Sequence, residues 1–124
     1  DFIVGPNFDA DIMRFCHARK IAYVPGCGSV SEIHHAELAG AEMVKLFPAS
    51  LYGPDFVKAV LAPCPWTRIM PTGGVDVTEA SIQAWFEAGV SCVGIGSQLR
   101  QVDDVAATCQ QVLGWIKQHR QALL

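Results

Sequence analysis

Short runs of apolar residues alternate with longer amphipathic stretches along the chain, and one run follows another about every 20 to 25 residues. A short apolar run bounded by turn residues predicts a buried strand, and apolar residues spaced three and four apart predict a helix. The predicted strands are Phe2-Ile3-Val4, Ile21-Ala22-Tyr23-Val24, Met43 to Phe47, Arg68-Ile69-Met70 and Cys92-Val93-Gly94-Ile95.

Signals for helix starts and ends lie in the stretches between these strands. Ser29 followed by Glu32 fits a capping box, and Pro54 suits the first turn of a helix. Gly40 and Gly89 stand where helices should end. The predicted helices are Asp9 to Arg19, Ser29 to Ala39, Pro54 to Leu61, Thr78 to Ala88 and a longer one from about Val102 to Gln118.

This order is a βα unit repeated five times, which predicts an α/β fold with a parallel sheet. An open doubly wound sheet and a (β/α)₈ TIM barrel both fit that order. The strand ends favour the barrel, because four of the five lead into turns that would build rigid loops at the rim where barrel active sites lie. These turns are Gly5-Pro6, Pro25-Gly26, Pro48 and Pro71-Thr72-Gly73-Gly74.

The length of the chain limits how much of a barrel it can form. A TIM barrel has eight strands and typically about 250 residues, whereas five strands are predicted here in 124 residues. We therefore interpret residues 1–124 as a single domain that supplies about the last five βα units of a TIM barrel.

Composition narrows the class of protein. The chain is 51% hydrophobic and 17% charged, which argues against disorder. Its formal net charge is −3 and it has no basic run, so no nucleic acid partner is expected. No stretch approaches the roughly 20 apolar residues that cross a bilayer, and no signal peptide is visible, so no membrane partner is expected. The five cysteines form no Cys-x-x-Cys pair, which predicts a reduced cytoplasmic protein without a metal site.

One lysine interrupts the apolar run from Met43 to Phe47. Burying an unpaired ammonium costs free energy, and desolvation favours the neutral amine, which is a nucleophile. Side chains alternate across a strand, so Val44 and Leu46 would pack on the helices while Lys45 points into the barrel near its mouth. This parity favours a catalytic Lys45. The alternative is a lysine whose stem lies on apolar surface and whose ammonium reaches water.

Two loops near the carboxyl end carry signals for anion binding. Gly73 and Gly74 follow the fourth predicted strand, and Gly96 and Ser97 follow the fifth. Backbone N–H groups of glycine turns and helix amino termini bind anions, and a serine hydroxyl adds a donor. A Gly-Gly pair alone is more often a plain turn. In TIM barrels, however, the last two βα loops frequently build a phosphate site, so the two loops together predict phosphate binding.

Together these motifs resemble the 2-keto-3-deoxy-6-phosphogluconate (KDPG) aldolase family, which includes 4-hydroxy-2-oxoglutarate (KHG) aldolases. The resemblance runs from residue 1 to about residue 100, with the same order and spacing. The matching segments are Phe2-Ile3-Val4-Gly5-Pro6, Tyr23-Val24-Pro25-Gly26, Ser31-Glu32-Ile33, Val44-Lys45-Leu46-Phe47-Pro48-Ala49, Pro71-Thr72-Gly73-Gly74 and Val93-Gly94-Ile95-Gly96-Ser97.

The resemblance implies a class I aldolase, a lyase of the Entner–Doudoroff pathway that needs no metal or cofactor and is commonly a homotrimer. It would cleave KDPG to pyruvate and glyceraldehyde 3-phosphate, and 4-hydroxy-2-oxoglutarate is a further candidate substrate. Lys45 matches the lysine that forms the Schiff base, and Thr72 matches a threonine near the bound keto acid. Pro6 and Phe47 match residues that wall the pocket. The phosphate-binding positions are matched by Gly73, Gly74 and Ser97, with Gly96 beside them.

The chain also departs from the family pattern. No residue matches the family's acid–base glutamate or the arginine that grips the keto-acid carboxylate, both of which lie on earlier strands. Cys27-Gly28-Ser29-Val30 and Ser50-Leu51-Tyr52-Gly53 differ from the family's loops at the mouth, which leaves the substrate preference open. Two alternatives therefore stand beside the aldolase: another phosphate-binding barrel enzyme without covalent catalysis, and a barrel fragment that binds without turnover.

Overall fold

The computed structural model describes residues 1–122. Short strands alternate with helices as the sequence pattern predicts, except that two strands come in succession after the first helix, where a turn at Pro25-Gly26 was predicted. The strands are β1 (Phe2–Val4), β2 (Ala22–Val24), β3 (Gly26–Cys27), β4 (Val44–Leu46) and β5 (Ile69–Pro71). The helices are α1 (Ala10–Ala18), α2 (Val30–Leu38), α3 (Ala49–Leu61), α4 (Glu79–Glu87) and α5 (Val105–Ala122), with a 3₁₀ helix at Ser97–Gln101.

All strand pairs in the described residues are parallel, as predicted. β1 pairs with β2, and β4 lies between β3 and β5. Lys45 on β4 is level with Gly26 on one side and Met70 on the other. Only Pro25 separates β2 from β3, and a proline has no N–H to donate to a neighbouring strand.

The predicted fifth strand, Cys92 to Ile95, is wrong as a strand. The structure has a single parallel bridge there, between Thr72 and Gly94. The Gly94 N–H donates to the Pro71 carbonyl at 2.9 Å, so the chain does run beside β5 at this point. Glycine weakens a strand because it has no side chain to pack, and Gly94 and Gly96 flank the position where pairing would have to continue.

The helix ends follow the predicted local signals. The Asp9 carboxylate accepts the N–H groups of Asp11 and Ile12, and the Ser29 hydroxyl accepts the N–H of Glu32 at 3.1 Å. Gly40 and Gly89 both have φ of +101° just after α2 and α4, a conformation that strains any residue with a Cβ.

Two helix boundaries differ from the prediction. α3 begins at Ala49 rather than Pro54, and Gly53, with φ of +71°, interrupts it, so Pro54 opens only the second segment. α5 begins at Val105 rather than Val102, because the Asp104 carboxylate accepts the Ala107 N–H at 2.9 Å and caps the helix there.

The core lies between one face of the sheet and the helices. Val44, Leu46 and Ile69 are fully buried there. The helices contribute Ile33, Ala36, Val57, Val60, Ile82, Trp85, Phe86 and Val112. β1 differs from the other strands, because Phe2, Ile3 and Val4 are 66%, 39% and 40% exposed.

A side-chain tie joins α2 to the segment before β5. The Thr67 hydroxyl, which is buried, donates to the Glu37 carboxylate at 2.7 Å, and the Trp66 indole donates to the same carboxylate at 3.3 Å. Glu37 thus links two elements 30 residues apart in the chain. Within residues 1–122, no helix is both long and apolar enough to pass through a lipid bilayer.

Candidate functional site

Lys45 occupies the central strand of the three-stranded sheet. Its neighbours Val44 and Leu46 are each 1% exposed and face the helices, so the Lys45 side chain leaves the strand on the opposite face. The side chain is half-buried. Its backbone N–H donates to the Pro25 carbonyl at 2.8 Å, which fixes the strand that carries it.

The surroundings of the Lys45 amine are apolar. Its nitrogen lies 4.3 Å from the centre of the Phe47 ring, a cation–π distance for the ammonium form. Met70 stands level with Lys45 on β5. Within residues 1–122, no carboxylate lies within 4.0 Å of the amine. The amine thus has no carboxylate partner in this part of the chain.

Pro6 is held beside Lys45 by the glycine on the adjacent strand. A Cβ added to Gly26 would lie 2.0 Å from the Pro6 carbonyl oxygen, so only a glycine lets the loop after β1 pack here. Gly26 is the register partner of Lys45. The same loop is anchored by the Tyr23 hydroxyl, which donates to the Asn7 carbonyl at 2.8 Å. The fold thus places Pro6 against the register partner of Lys45, while Phe47 contacts the lysine amine directly.

A cavity of about 460 Å³ opens at the carboxyl ends of β1, β3 and β4. Pro6 and Phe47, the predicted wall residues, both line it. Lys45 does not line the cavity itself, but its amine contacts the Phe47 ring that does. The remaining lining residues are Asn7, Phe8, Gly26, Cys27, Gly28, Glu32 and Tyr52.

Two residues that line this cavity, Cys27 and Glu32, differ in charge. Burial, together with the nearby negative charges of Glu32 and Glu37, raises the pKa of the Cys27 thiol to about 12. Cys27 is therefore a neutral thiol near neutral pH. The Glu32 carboxylate is exposed at the wall and accepts the Gly28 N–H, which places a negative charge at that side of the mouth.

Thr72 lies at the end of β5, where the chain turns away from the sheet. Its hydroxyl oxygen is buried and has no hydrogen-bond partner among the described residues. A Cβ on Gly94 would lie 2.3 Å from this oxygen, so the absence of a side chain at Gly94 makes the room for it. An unpaired buried hydroxyl is destabilising and is free to bond a ligand.

The Gly73-Gly74 turn packs against the start of α3. The Ala49 N–H donates to the Thr72 carbonyl at 2.9 Å, and the Ser50 N–H donates to the Gly73 carbonyl at 2.8 Å. Both glycines have positive φ, +78° and +101°. A Cβ on Gly73 would lie 3.0 Å from the Phe47 ring, so the turn is in direct contact with the wall of the cavity.

Gly96 and Ser97, the other predicted phosphate residues, are exposed at the start of the 3₁₀ helix. The Gln98 amide donates to the Asp76 carboxylate at 3.1 Å, which links this helix to the segment after the Gly-Gly turn. The bridge between Thr72 and Gly94 joins the same two loops at their base. The fold thus makes neighbours of the two loops that the sequence grouped.

A larger concavity of about 640 Å³ lies at the opposite, amino-terminal ends of the strands. Its lining includes Phe2, Met43, Met70 and the basic residues His17, Lys20 and Arg68. None of the predicted site residues lines it. The predicted wall residues Pro6 and Phe47 line the cavity at the carboxyl ends of the strands instead.

Sequence reasoning missed two side chains of the mouth. Glu32 was predicted to complete a capping box with Ser29, but its carboxylate accepts the Gly28 N–H instead, and the structure also places it on the cavity wall. Tyr52 was noted only as part of a loop that departs from the family pattern. The loop that contains Gly28 also departs from the family pattern, and Gly28 and Tyr52 are in contact. Two neighbouring departures were therefore the signal that could have identified Tyr52.

Comparison with known proteins gives the chain a family context. The family model described as KDPG and KHG aldolase matches residues 1–113. The 2-dehydro-3-deoxy-6-phosphogalactonate aldolase of Escherichia coli (strain K12) is 34% identical over 123 residues, which cover 98% of this chain and 59% of that protein. The chain therefore spans about three fifths of the length of that relative.

Solved structures agree with the family match. A structure described as native KDPGal superposes with a TM-score of 0.81 at 32% identity, over 98% of this chain and 59% of that one. The 2-keto-3-deoxy-6-phosphogluconate aldolase of Zymomonas mobilis ZM4, solved with 3-phosphoglycerate, gives a TM-score of 0.73 at 27% identity, over 90% of this chain and 54% of that one. The parallel α/β arrangement described above is shared with these aldolases.

Proposed function

Because the chain belongs to the KDPG and KHG aldolase family, we propose that it carries the imine-forming part of a class I aldolase, with Lys45 as the nucleophile. The proposed substrate is 2-keto-3-deoxy-6-phosphogluconate, cleaved to pyruvate and glyceraldehyde 3-phosphate. 4-Hydroxy-2-oxoglutarate is a further candidate substrate. No metal or cofactor takes part in the proposed reaction.

The position of Lys45 is the observation that carries this proposal. The lysine lies on the central strand, on the face away from the helices, with its amine against Phe47. An amine with apolar neighbours and without a carboxylate beside it is suited to add to a carbonyl carbon. A lysine that served only solubility would be expected on an exposed surface, not on a strand paired on both sides.

The proposed reaction runs through an imine. The neutral Lys45 amine adds to the C2 carbonyl carbon, and the carbinolamine takes up a proton and loses water to give an iminium. A base removes the C4 hydroxyl proton, the C3–C4 bond breaks, and its electron pair moves into the iminium to give an enamine as the aldehyde leaves. Protonation at C3 and addition of water then release pyruvate and restore the amine.

The loops around Lys45 would hold the rest of the substrate. We assign the phosphate to the backbone of Gly73 and Gly74 together with Gly96 and Ser97, which the fold makes neighbours. The Zymomonas mobilis relative was solved with 3-phosphoglycerate, which supports a phosphorylated acid as the class of ligand. The unpaired Thr72 hydroxyl would bond the keto acid. Holding both ends of the substrate converts binding energy into orientation at C2.

Proton transfer is assigned to a segment beyond this chain. The chain spans 59% of the Escherichia coli relative, and its first strand, β1, has one paired edge and exposed side chains. We propose that further βα units of the full-length protein pair with β1, close the TIM barrel and supply the base. A homotrimer of that full-length protein is also proposed, and light scattering would measure it.

Borohydride trapping tests the nucleophile. The full-length protein is incubated with pyruvate, reduced with borohydride and analysed by peptide mass spectrometry. The reduced adduct is expected on the peptide that contains Lys45, and Lys45→Met should abolish it. Lys58→Met is the matched control, since Lys58 is an exposed lysine on α3 and should leave the adduct unchanged. An adduct absent from Lys45 in the unaltered protein would refute the imine mechanism.

The non-covalent alternative makes a different prediction for a conservative change. In a phosphate-binding barrel enzyme without an imine, Lys45→Arg keeps the positive charge and should keep most of the activity. In the proposed mechanism an arginine cannot form the iminium, so activity should be lost. A fragment that binds without turnover would show no aldol cleavage in the full-length protein either.

A further inference from the structure

Two loops at the mouth meet through a glycine and a tyrosine. A Cβ added to Gly28, just after β3, would lie 2.4 Å from the Tyr52 hydroxyl oxygen and 3.6 Å from Glu32 Oε2. The Tyr52 hydroxyl and the Glu32 carboxylate therefore both lie close to the position that a Gly28 side chain would occupy. All three residues line the 460 Å³ cavity that Phe47 and Pro6 also line.

We infer that Tyr52 is a specificity-determining residue of this site, whose hydroxyl bonds a hydroxyl group on the part of the substrate that leaves as the aldehyde. In 2-keto-3-deoxy-6-phosphogluconate this is the C5 hydroxyl, which 4-hydroxy-2-oxoglutarate lacks. The inference rests on the proposed aldolase function and adds to it the class of substrate, a keto acid with a hydroxylated chain beyond the cleaved bond.

The chemistry of this wall selects a hydroxyl over an anion. A phenol donates and accepts hydrogen bonds, and an ionised carboxylate accepts them, so the pair suits an O–H group. The same carboxylate repels a phosphate or a second carboxylate. It therefore favours an orientation in which the anionic end of the substrate lies at the glycine turns on the other side of Phe47.

The tyrosine ring is held independently of its hydroxyl. It stacks at a tilt on Phe56, with ring centres 4.8 Å apart and an angle of 53° between the planes. Gly28 supplies no side chain that would cover the hydroxyl, whereas an alanine there would collide with it. The hydroxyl is thus presented to the cavity by a fixed ring beside a residue that leaves it open.

The first experiment uses Tyr52→Phe, which keeps the ring and removes only the hydroxyl. In the full-length protein, kcat/KM for 2-keto-3-deoxy-6-phosphogluconate should fall about tenfold, and kcat/KM for 4-hydroxy-2-oxoglutarate should change less than about twofold. An equal loss with both substrates indicates a structural role and overturns the inference. No loss with either also overturns it.

The second experiment uses Gly28→Ala, alone and in the Tyr52→Phe background. Alone, the new methyl group should displace the hydroxyl and reproduce the same substrate-selective loss of about tenfold. In the double variant the nearest ring atom is Cζ, 3.4 Å from the methyl position, so the further loss should be under about twofold. Losses that multiply would show that Gly28 and Tyr52 act separately, which contradicts the inference.

Borohydride trapping with pyruvate separates this inference from the function it rests on. Pyruvate has no hydroxylated chain, so Tyr52→Phe should trap pyruvate on Lys45 as well as the unaltered protein does. A failure of trapping in the unaltered protein refutes the aldolase proposal. Normal trapping together with unchanged substrate selectivity refutes only the role of Tyr52.

Discussion

The two faces of strand β4 differ in nearly every physical respect. On one face Val44 and Leu46 are each 1% exposed and pack among the helices, as core residues do. On the other face Lys45 is half-buried, with its amine against an aromatic ring and no carboxylate near it in the described residues. Val44 and Leu46 thus stabilise the core on one side of the strand, and Lys45 is the candidate catalytic group on the other. Substitutions on the two faces should therefore have separable effects.

The largest effect is expected on the lysine face. Lys45→Met keeps the length of the side chain and suits the apolar neighbours Phe47 and Met70, but it removes the nucleophile. Aldol cleavage by the full-length protein should fall by at least about 1000-fold, while the free energy of unfolding changes by less than about 1 kcal/mol. Steady-state kinetics and urea unfolding measure the two quantities. A variant that unfolds readily would show that the two faces are not separable.

The opposite result is expected on the helix face. Leu46→Ala should lower the free energy of unfolding by about 2–5 kcal/mol, because it leaves a cavity in a fully buried site. Activity per folded molecule should stay within about threefold. Leu51→Ala is the control for stability, since Leu51 is 78% exposed and its truncation should cost less than about 0.5 kcal/mol. Equal losses for both leucines would contradict the assigned core.

A threonine pair sharpens the comparison further. Thr72→Val removes a buried hydroxyl that has no partner within residues 1–122, so the free energy of unfolding should stay constant or rise by up to about 1 kcal/mol, while KM for the keto acid rises. Thr67→Val removes a hydroxyl that donates to Glu37, and should destabilise by about 1–3 kcal/mol with KM unchanged. Urea unfolding and steady-state kinetics of both variants measure these changes in the free energy of unfolding and in KM. A destabilised Thr72→Val would mean that its hydroxyl has a partner in the folded protein.

The smallest effect concerns the buried Cys27 thiol on β3, the strand beside β4. Its pKa is raised to about 12 in the folded chain from an ordinary value of 9.0. Above pH 9 the unfolded chain loses this proton first, so the thiol should make the free energy of unfolding fall as pH rises toward 12. Below pH 9 both states keep the proton and the contribution is constant. Urea unfolding at about pH 8 and about pH 10 should show a smaller drop for Cys27→Ala than for the unaltered protein. An identical drop would refute the raised pKa.

Most of the fold was predictable because its signals are local. Asp9, Ser29 and Thr78 cap helices through their own side chains, and Gly40 and Gly89 end helices because only glycine accepts their backbone conformation easily. The alternation around Lys45 likewise needs only the period of a strand, and the structure confirms that Val44 and Leu46 are buried. Each of these features depends on residues within a few positions of one another.

What could not be predicted depends on contacts between distant segments. The first turn of α3 starts at Ala49 because the Thr72 and Gly73 carbonyls accept its N–H groups, and no local signal announces that. Cys92 to Ile95 has the apolar pattern of a strand, but it pairs with its neighbour only through the bridge between Gly94 and Thr72, because Gly94 has no side chain to pack there. Tyr52 entered the candidate site only through Gly28, which is 24 residues away in the sequence. The roles assigned to Lys45, Thr72 and the glycine loops remain predictions for the experiments above.

The interruption of α3 at Gly53 has a practical consequence. The residue leaves the helical conformation, with φ of +71°, and a Cβ there would have nothing within 4 Å. The turn from Ala49 to Tyr52 is therefore a short helical segment of its own, and non-helical Gly53 separates it from the long segment of α3. Substitutions at residues 51 and 52 should therefore change the mouth of the cavity that Tyr52 lines without shifting Val57 and Val60 in the core below.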